Sequence, residues 1–300
     1  MPQGSRLAHT ASCLLQTRSV EDENAHFFFV KLSRMTESMN IADADFHIES
    51  PLALPENEVQ VWQVDLEAIR GDEPRWQKLL SSDEATRAAR YHFLADRQRF
   101  VAARALLRTI LGGYLATDPQ RLTFAYSEKE KPSLGRAHAD SGITFNVSHS
   151  GGSALLAFSQ RREIGVDVEQ VRRDFDVEAI ARRFFSVHEQ GQLAALPNEE
   201  KFESFFRCWT RKEAFIKATG EGLSLPLHQF DVSVAPGNSD ALLSTRSDHS
   251  EAALWSLREI PVAPGYVAAL CARGRDWRLK DWTSVAGRSR NRSVPRLFPS

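Results

Sequence analysis

Ile164-Gly165-Val166-Asp167-Val168-Glu169 reads as a β-strand with two unlike faces. At period two, Val166 and Val168 point one way, and Asp167 and Glu169 the other. One face is then core, while the other carries two carboxylates roughly 7 Å apart at a rise of ~3.3 Å per residue. Like charges on a half-buried face repel, and each costs free energy to desolvate. A hard divalent cation compensates such a pair, because Mg²⁺ takes one or two carboxylates and leaves its other positions to water and phosphate oxygens. An exposed edge strand with both acids in water is the other reading. These six residues do not choose between the two.

Downstream, residues from Glu199 to Thr219 have the period of a long helix, stopped by Gly220 and Gly222. Phe202, Phe205, Phe206, Trp209 and Ile216 form its apolar stripe, with Glu213 in the middle and Lys217 one turn further on. An acid inside a buried stripe is costly unless it is paired or bound to a metal. A surface Glu213–Lys217 pair, worth about 0.2–0.5 kcal/mol, is the plainer alternative, and the flanking aromatics argue against it. Asp167, Glu169 and Glu213 are therefore three candidate oxygen ligands for a metal. Lys212, Lys217 and His149 stand near them in the pattern as cations or proton carriers. Such a set suits stabilisation of a pyrophosphate or phosphoryl transition state. The chain has no Gly-x-x-x-x-Gly-Lys-Ser/Thr loop, no Rossmann glycine fingerprint and no Gly-x-Ser-x-Gly elbow.

The rest of the chain frames these two elements. Val59 to Leu66 alternates as a strand, and Ser81-x-x-Glu84 is a capping-box pattern opening a short helix. A second helix, about 95–115, carries Phe100, Ala103, Leu107, Ile110 and Leu111 on one side. Leu122 to Tyr126 and Ile143 to Ser150 read as strands, the latter running into the Gly151-Gly152 turn. After the acidic strand come a helix at Val177–Phe185, a capping box at Ser186-x-x-Glu189, and strands near 230–234, 252–257 and 266–271. The expected organisation is a leader, 1–55, either disordered or the product of a start placed too early, with Met35 and Met39 as alternatives. An N-terminal α+β subdomain, 56–160, and a C-terminal α+β subdomain with the metal site, 161–283, follow it. A basic disordered tail, 284–300, ends the chain.

Of 300 residues, 42% are hydrophobic and 26% charged, the balance of a globular protein. A net charge of −1 gives no reason to expect nucleic acid or a membrane surface as partner. Cys13, Cys208 and Cys271 are too few and too far apart for a disulfide framework or a metal knuckle. No apolar run reaches the length of a membrane span, and the N-terminus lacks the layout of a secretory signal, so a cytoplasmic location is expected.

Three motifs then occur in register: Phe145-Asn146-Val147-Ser148-His149-Ser150, Gly165-Val166-Asp167-Val168-Glu169, and Trp209-Thr210-Arg211-Lys212-Glu213-Ala214-Phe215-Ile216-Lys217. With Lys131-Pro132 before them and Gly222-Leu223-Ser224-Leu225-Pro226 after, the span from about 57 to 275 resembles the Sfp-type 4′-phosphopantetheinyl transferases. The resemblance implies a pseudo-two-fold pair of similar α+β subdomains with the active site at their interface, and a monomer. It implies transfer of 4′-phosphopantetheine from coenzyme A to a serine of an apo acyl or peptidyl carrier protein. By motif, Asp167, Glu169 and Glu213 would hold Mg²⁺ against the coenzyme pyrophosphate, and Ser148 and His149 would contact its phosphates, with Lys131 and Lys212 adding charge. Glu213 or a water would take the serine proton, and Lys217 would stabilise the leaving 3′,5′-ADP. Arg87 and Arg99 resemble the family's 3′-phosphate contacts. Glu84 departs from the pattern, standing where a second basic residue is common, and is expected to weaken that grip. The rival readings are a non-catalytic module that binds coenzyme A or a carrier, and a metal-dependent phosphohydrolase.

Overall fold

The computed structural model describes residues 52–69, 73–129, 131–236, 241–245 and 251–284. The expected leader up to residue 51 and the expected tail beyond Ser284 lie outside the described residues. Leu52 and Leu54 already pack against the first core, so the described order begins ahead of the first strand.

The chain runs β1 (Glu58–Asp65), α1 (Leu66–Ile69), α2 (Glu73–Gln77), α3 (Ser82–Ala88), α4 (Leu94–Leu115), β2 (Phe124–Tyr126), β3 (Pro132–Leu134), β4 (Ile143–Ser150) and β5 (Ser153–Gln160). It continues through β6 (Ile164–Gln170), α5 (Val177–Phe184), α6 (Val187–Ala194), α7 (Asn198–Thr219), β7 (Phe230–Val232), β8 (Leu242–Thr245), β9 (Trp255–Glu259), β10 (Tyr266–Arg273) and β11 (Arg278–Ser284). Two sheets dominate, ordered β11-β1-β5-β4 and β6-β10-β9, with β2-β3 and β7-β8 as small hairpins.

Alternation along the strands fixes the layers. Trp62, Val64, Ala154, Leu156 and Phe158 face α4 and meet its Leu107, Ile110 and Leu111. Val59, Val61, Leu155 and Ala157, on the opposite face of the same strands, pack against Ile164, Val166, Val168, Ala268 and Leu270 of the second sheet. The other face of β6 and β10 is covered by α7. The order is helix, sheet, sheet, helix, and β1 is buried on both faces, its Gln60 included.

The expected pairing of similar halves is visible in a detail the sequence hid. Each half has a short helix whose capping glutamate is buried: Glu84 bonds the Ser81 N–H and Glu189 the Ser186 N–H, both at 2.9 Å. Each of these glutamates also meets a cation from the following 22-residue helix, Arg108 at 2.6 Å and Lys212 at 2.7 Å. Both cations are the fifteenth residue of their helix. By this register the positions of Glu213 and Lys217 on α7 correspond to Thr109 and Gly113 on α4. Only the second half carries the acid and the lysine.

Two expectations need correction. The span 161–283 does not stay in one half: β11 leaves it and pairs parallel with β1, completing the first sheet. There Trp282, placed at the edge of a disordered tail by sequence, stacks on Trp62 at 4.9 Å and donates its indole N–H to buried Gln60. Glu84, expected to face a phosphate, instead points inward and is held by Arg104 and Arg108, so it repels nothing at the surface.

Candidate active site

Beside the site, β4 and β6 lie together without a backbone ladder. Asn146, Ser148 and Ser150, at alternate positions of β4, supply the acceptors instead. Asn146 Oδ1 takes the Val166 N–H at 2.8 Å, Ser148 Oγ that of Val168 at 3.3 Å, and Ser150 Oγ that of Gln170 at 3.1 Å. The Asn-x-Ser-x-Ser alternation of the first motif is thus a seam between the two sheets. The same hydroxyls donate to the acids beyond: Ser148 to Asp167 Oδ1 at 2.8 Å and Ser150 to Glu169 Oε2 at 2.7 Å.

Gly165 brings α7 against this strand. A Cβ there would lie 2.2 Å from the Ala214 carbonyl oxygen and 2.3 Å from the Ala218 nitrogen, so the helix backbone rests on bare strand. Lys217 can therefore reach down to Asp167 Oδ1 at 2.6 Å, to Ser148 Oγ at 3.2 Å and to the Val166 carbonyl at 3.3 Å.

The electrostatics are those of too many carboxylates for one ammonium. Burial, then the charge of Asp167, pushes Glu169 up to about 8 and Glu213 up to about 7. Asp167 is also raised by burial, with Lys217 and Ser148 pulling the other way. Burial alone would lower Lys217, but Asp167, Glu213 and Glu169 raise it on balance. Asp167 Oδ2 and Glu213 Oε1 are buried with no hydrogen-bond partner among the described residues. As it stands, no group of three His, Cys, Asp or Glu side chains among the described residues is arranged to hold a metal ion. The cation on Asp167 in this structure is the Lys217 ammonium.

His149 lies on the other face of β4 and is exposed. Desolvation by the surrounding protein and then the charge of Lys217 lower its pKa, and the next charges it feels are Asp96, Arg99 and Arg87. Of the expected cations, Lys217, Arg99 and Arg87 thus all act on His149. Arg87 lies 5.7 Å over the Phe100 ring and pairs with no carboxylate among the described residues. Arg99 is shared between Glu67 at 2.6 Å and Asp96 at 3.1 Å.

Two expected contributors have their ammonium groups engaged by other protein atoms. The Lys212 ammonium is fully buried, bound to Glu189 and to the Leu227 and Phe230 carbonyls, each at 2.7 Å. It holds α7 to α6 and to the segment entering β7, and it has no donor to offer a phosphate. Lys131 is turned toward the Lys217, Ala218 and Ile164 carbonyls, on the wall of a cleft of ≈ 210 Å³ that also takes in Asn146, Ile216 and Lys217. Sequence reasoning missed Asn146 and Ser150 as site builders, although polar residues at every second position of a buried strand were the signal.

Two family models match the chain and abut at the turn between β5 and β6: "4′-phosphopantetheinyl transferase, N-terminal" over residues 72–161 and "4′-phosphopantetheinyl transferase superfamily" over 163–271. Among curated proteins it is similar to the 4′-phosphopantetheinyl transferase HetI of Nostoc sp., 41% identical over 231 residues, covering 77% of this chain and 94% of that one. It is similar also to the 4′-phosphopantetheinyl transferase Sfp of Bacillus subtilis, 32% identical over 206 residues, with 68% and 86% covered. An L-aminoadipate-semialdehyde dehydrogenase-phosphopantetheinyl transferase of Xenopus laevis is 29% identical over 167 residues, with 53% and 55% covered.

Proposed function

The chain belongs to the 4′-phosphopantetheinyl transferase superfamily, and we propose that it moves the 4′-phosphopantetheine of coenzyme A onto a serine of an acyl or peptidyl carrier protein. The observation that supports this most directly is the convergence of Asp167 and Glu169 on β6 with Glu213 and Lys217 on α7, beside His149, Arg99 and Arg87. That is an acid cluster for a cation flanked by cations for an anion, the pairing a pyrophosphate ester needs.

In the reaction, the carrier serine oxygen bonds to the phosphorus that bears the pantetheine arm. The bond from that phosphorus to the oxygen bridging it to the nucleotide breaks, and 3′,5′-ADP leaves with the electron pair. The serine proton passes to Glu213 or to a water beside it. Lys217 meets the charge that develops on the leaving phosphate, and its short bond to Asp167 fixes where it does so. Ser148 is already committed to Asp167, Lys217 and the Val168 N–H, so it orients these groups. His149 and Arg87 offer donors on the coenzyme side, with Arg99 steadied there by Glu67 and Asp96.

Mg²⁺ fits the donor set: all three groups are hard oxygens, and two buried carboxylate oxygens lack any partner among the described residues. Asp167, Glu169 and Glu213 would hold it, and when bound it supplies positive charge to the pyrophosphate. Among the described residues no helix is long and apolar enough to cross a membrane. A cytoplasmic monomer working on coenzyme A and a diffusing carrier is the setting we propose.

The test is incubation with coenzyme A, Mg²⁺ and an apo-carrier protein, read by mass spectrometry of the carrier. A gain of one phosphopantetheine on the serine supports the reading. Nucleotide release without carrier modification would point to a phosphohydrolase, and coenzyme binding with neither product to a non-catalytic module.

A further inference from the structure

Lys131 sits at the tip of the β2–β3 hairpin, in the first half of the molecule, yet its ammonium is spent on the second half. It donates to the Lys217 carbonyl, and at 3.4 Å to those of Ala218 and Ile164. An ammonium has three donors, and all three are engaged. Two of these acceptors belong to the last turn of α7, where carbonyls have no partner within the helix and the helix dipole is negative. The third is the residue just before Gly165, at the start of β6. Lys131 therefore closes the junction at which the α7 backbone rests on the bare strand. A second link from the same hairpin runs from Lys129 to Ser224, in the turn that follows α7. No carboxylate is paired with Lys131 among the described residues; its burial is compensated by peptide dipoles.

We propose that the Lys131 ammonium is a positioning group for Lys217: it clamps the end of α7 to the start of β6, so that Lys217 meets Asp167 at the reacting centre. The clamp comes from the opposite half of the molecule, so the first half sets the geometry of a catalytic pair it does not contain. The proposal rests on the transferase reading, in which Lys217 serves the leaving group.

The test uses full-length protein, coenzyme A, Mg²⁺ and an apo-carrier, with kcat, KM for coenzyme A and thermal midpoint measured for each variant. Wild-type protein that transfers nothing would refute the underlying reading. Given wild-type transfer, Lys131→Met should lower kcat about ten- to a hundredfold, the cost of misplacing a reacting group by up to an ångström. KM for coenzyme A should stay within about twofold, the pattern of an interaction that matters only in the transition state. Lys131→Arg, which keeps donors at that depth, should recover most of the loss. In a Lys217→Met background, Lys131→Met should add at most about twofold, because two changes acting through one group are not additive. A rise in KM with kcat unchanged would overturn the proposal in favour of direct coenzyme contact. A lower thermal midpoint with unchanged kcat would reduce Lys131 to a strut. If Lys131→Met does not fold, Lys131→Gln, which retains an amide donor, is read by the same split.

Discussion

Gly165→Ala is the sharpest probe of how the site is assembled. The added methyl would lie 2.2 Å from the Ala214 carbonyl oxygen, 2.3 Å from the Ala218 nitrogen and 2.8 Å from the Lys217 carbonyl carbon. All three are backbone atoms, so no rotamer change relieves the clash. Ordinary contact begins at 3.4 Å, so α7 must retreat from β6 by about 1 Å at this level. Overpacking of a tight core costs about 1–3 kcal/mol, and with helix backbone as the obstacle the upper part of that range is expected. Lys217 and Glu213 ride on the displaced segment, while Asp167 and Glu169 stay on the strand. A misplacement of this size can cost about a hundredfold in rate. Activity should therefore fall much further than stability. Denaturant unfolding gives the stability and carrier mass gain the activity. A Gly165→Ala protein with wild-type kcat would refute the claim that bare strand is what brings the lysine to the acid.

Other outcomes follow from the same geometry. Asp167→Ala and Glu213→Ala should each reduce transfer by at least about a hundredfold. Glu213→Gln should leave the thermal midpoint unchanged or higher, since it removes like-charge repulsion, whereas Asp167→Ala should lower it by stripping Lys217 of its partner; the opposite order of midpoints would contradict this. Glu169 and Glu213 hold protons in the folded protein up to about 8 and about 7, well above their ordinary 4.5, protons the unfolded chain has already released. Stability without divalent cations should therefore fall as pH rises through that window. Added Mg²⁺ should raise the midpoint more at pH 8 than at pH 6, and a shift that does not grow with pH would count against the acid cluster as its site. For the coenzyme, Arg87→Ala should erode the preference for coenzyme A over dephospho-coenzyme A more than Arg99→Ala, because Arg99 is already shared between two acids. One charge-assisted hydrogen bond at about 1.5–3 kcal/mol puts the loss at roughly ten- to a hundredfold, and an unchanged kcat/KM ratio would remove Arg87 from the binding site.

Where the sequence carried a period or a cap, it was legible. Both long helices, both capping boxes and the acidic strand lie where their patterns place them. The last strand was not legible, because Leu279 packs toward the second sheet and Trp282 toward the first core, one apolar residue per face. Two apolar residues three apart match no strand period, and Arg278 before them and Lys280 between them resemble a tail. At the site, Asp167, Glu169, Glu213 and Lys217 could be grouped because strand and helix periods decide which face each takes. Lys131 and Lys212 could not be oriented, since a four-carbon stem lets the ammonium turn inward from the same backbone position. Glu84 shows the same limit from the acid side. Its place in a capping box was readable, but the two arginines that bury it lie twenty and twenty-four residues further on, inside the next helix.

The return of β11 to β1 bears on how the polypeptide reaches this state. Trp62 and Trp282 lie 220 residues apart in the chain and stack on each other. The first sheet therefore cannot acquire its outer strand until almost all of the described chain has been synthesised. Helices α4 and α7 can form locally, yet β1 must wait with one edge unpaired, exposed to the register errors and edge-to-edge association that open strands invite. Loop closure over such a span is entropically slow to nucleate, even though its cost grows only with the logarithm of length. Late docking of one strand thus ties the halves into a single cooperative unit, and a fragment ending after β10 would leave the first half with an unsealed sheet.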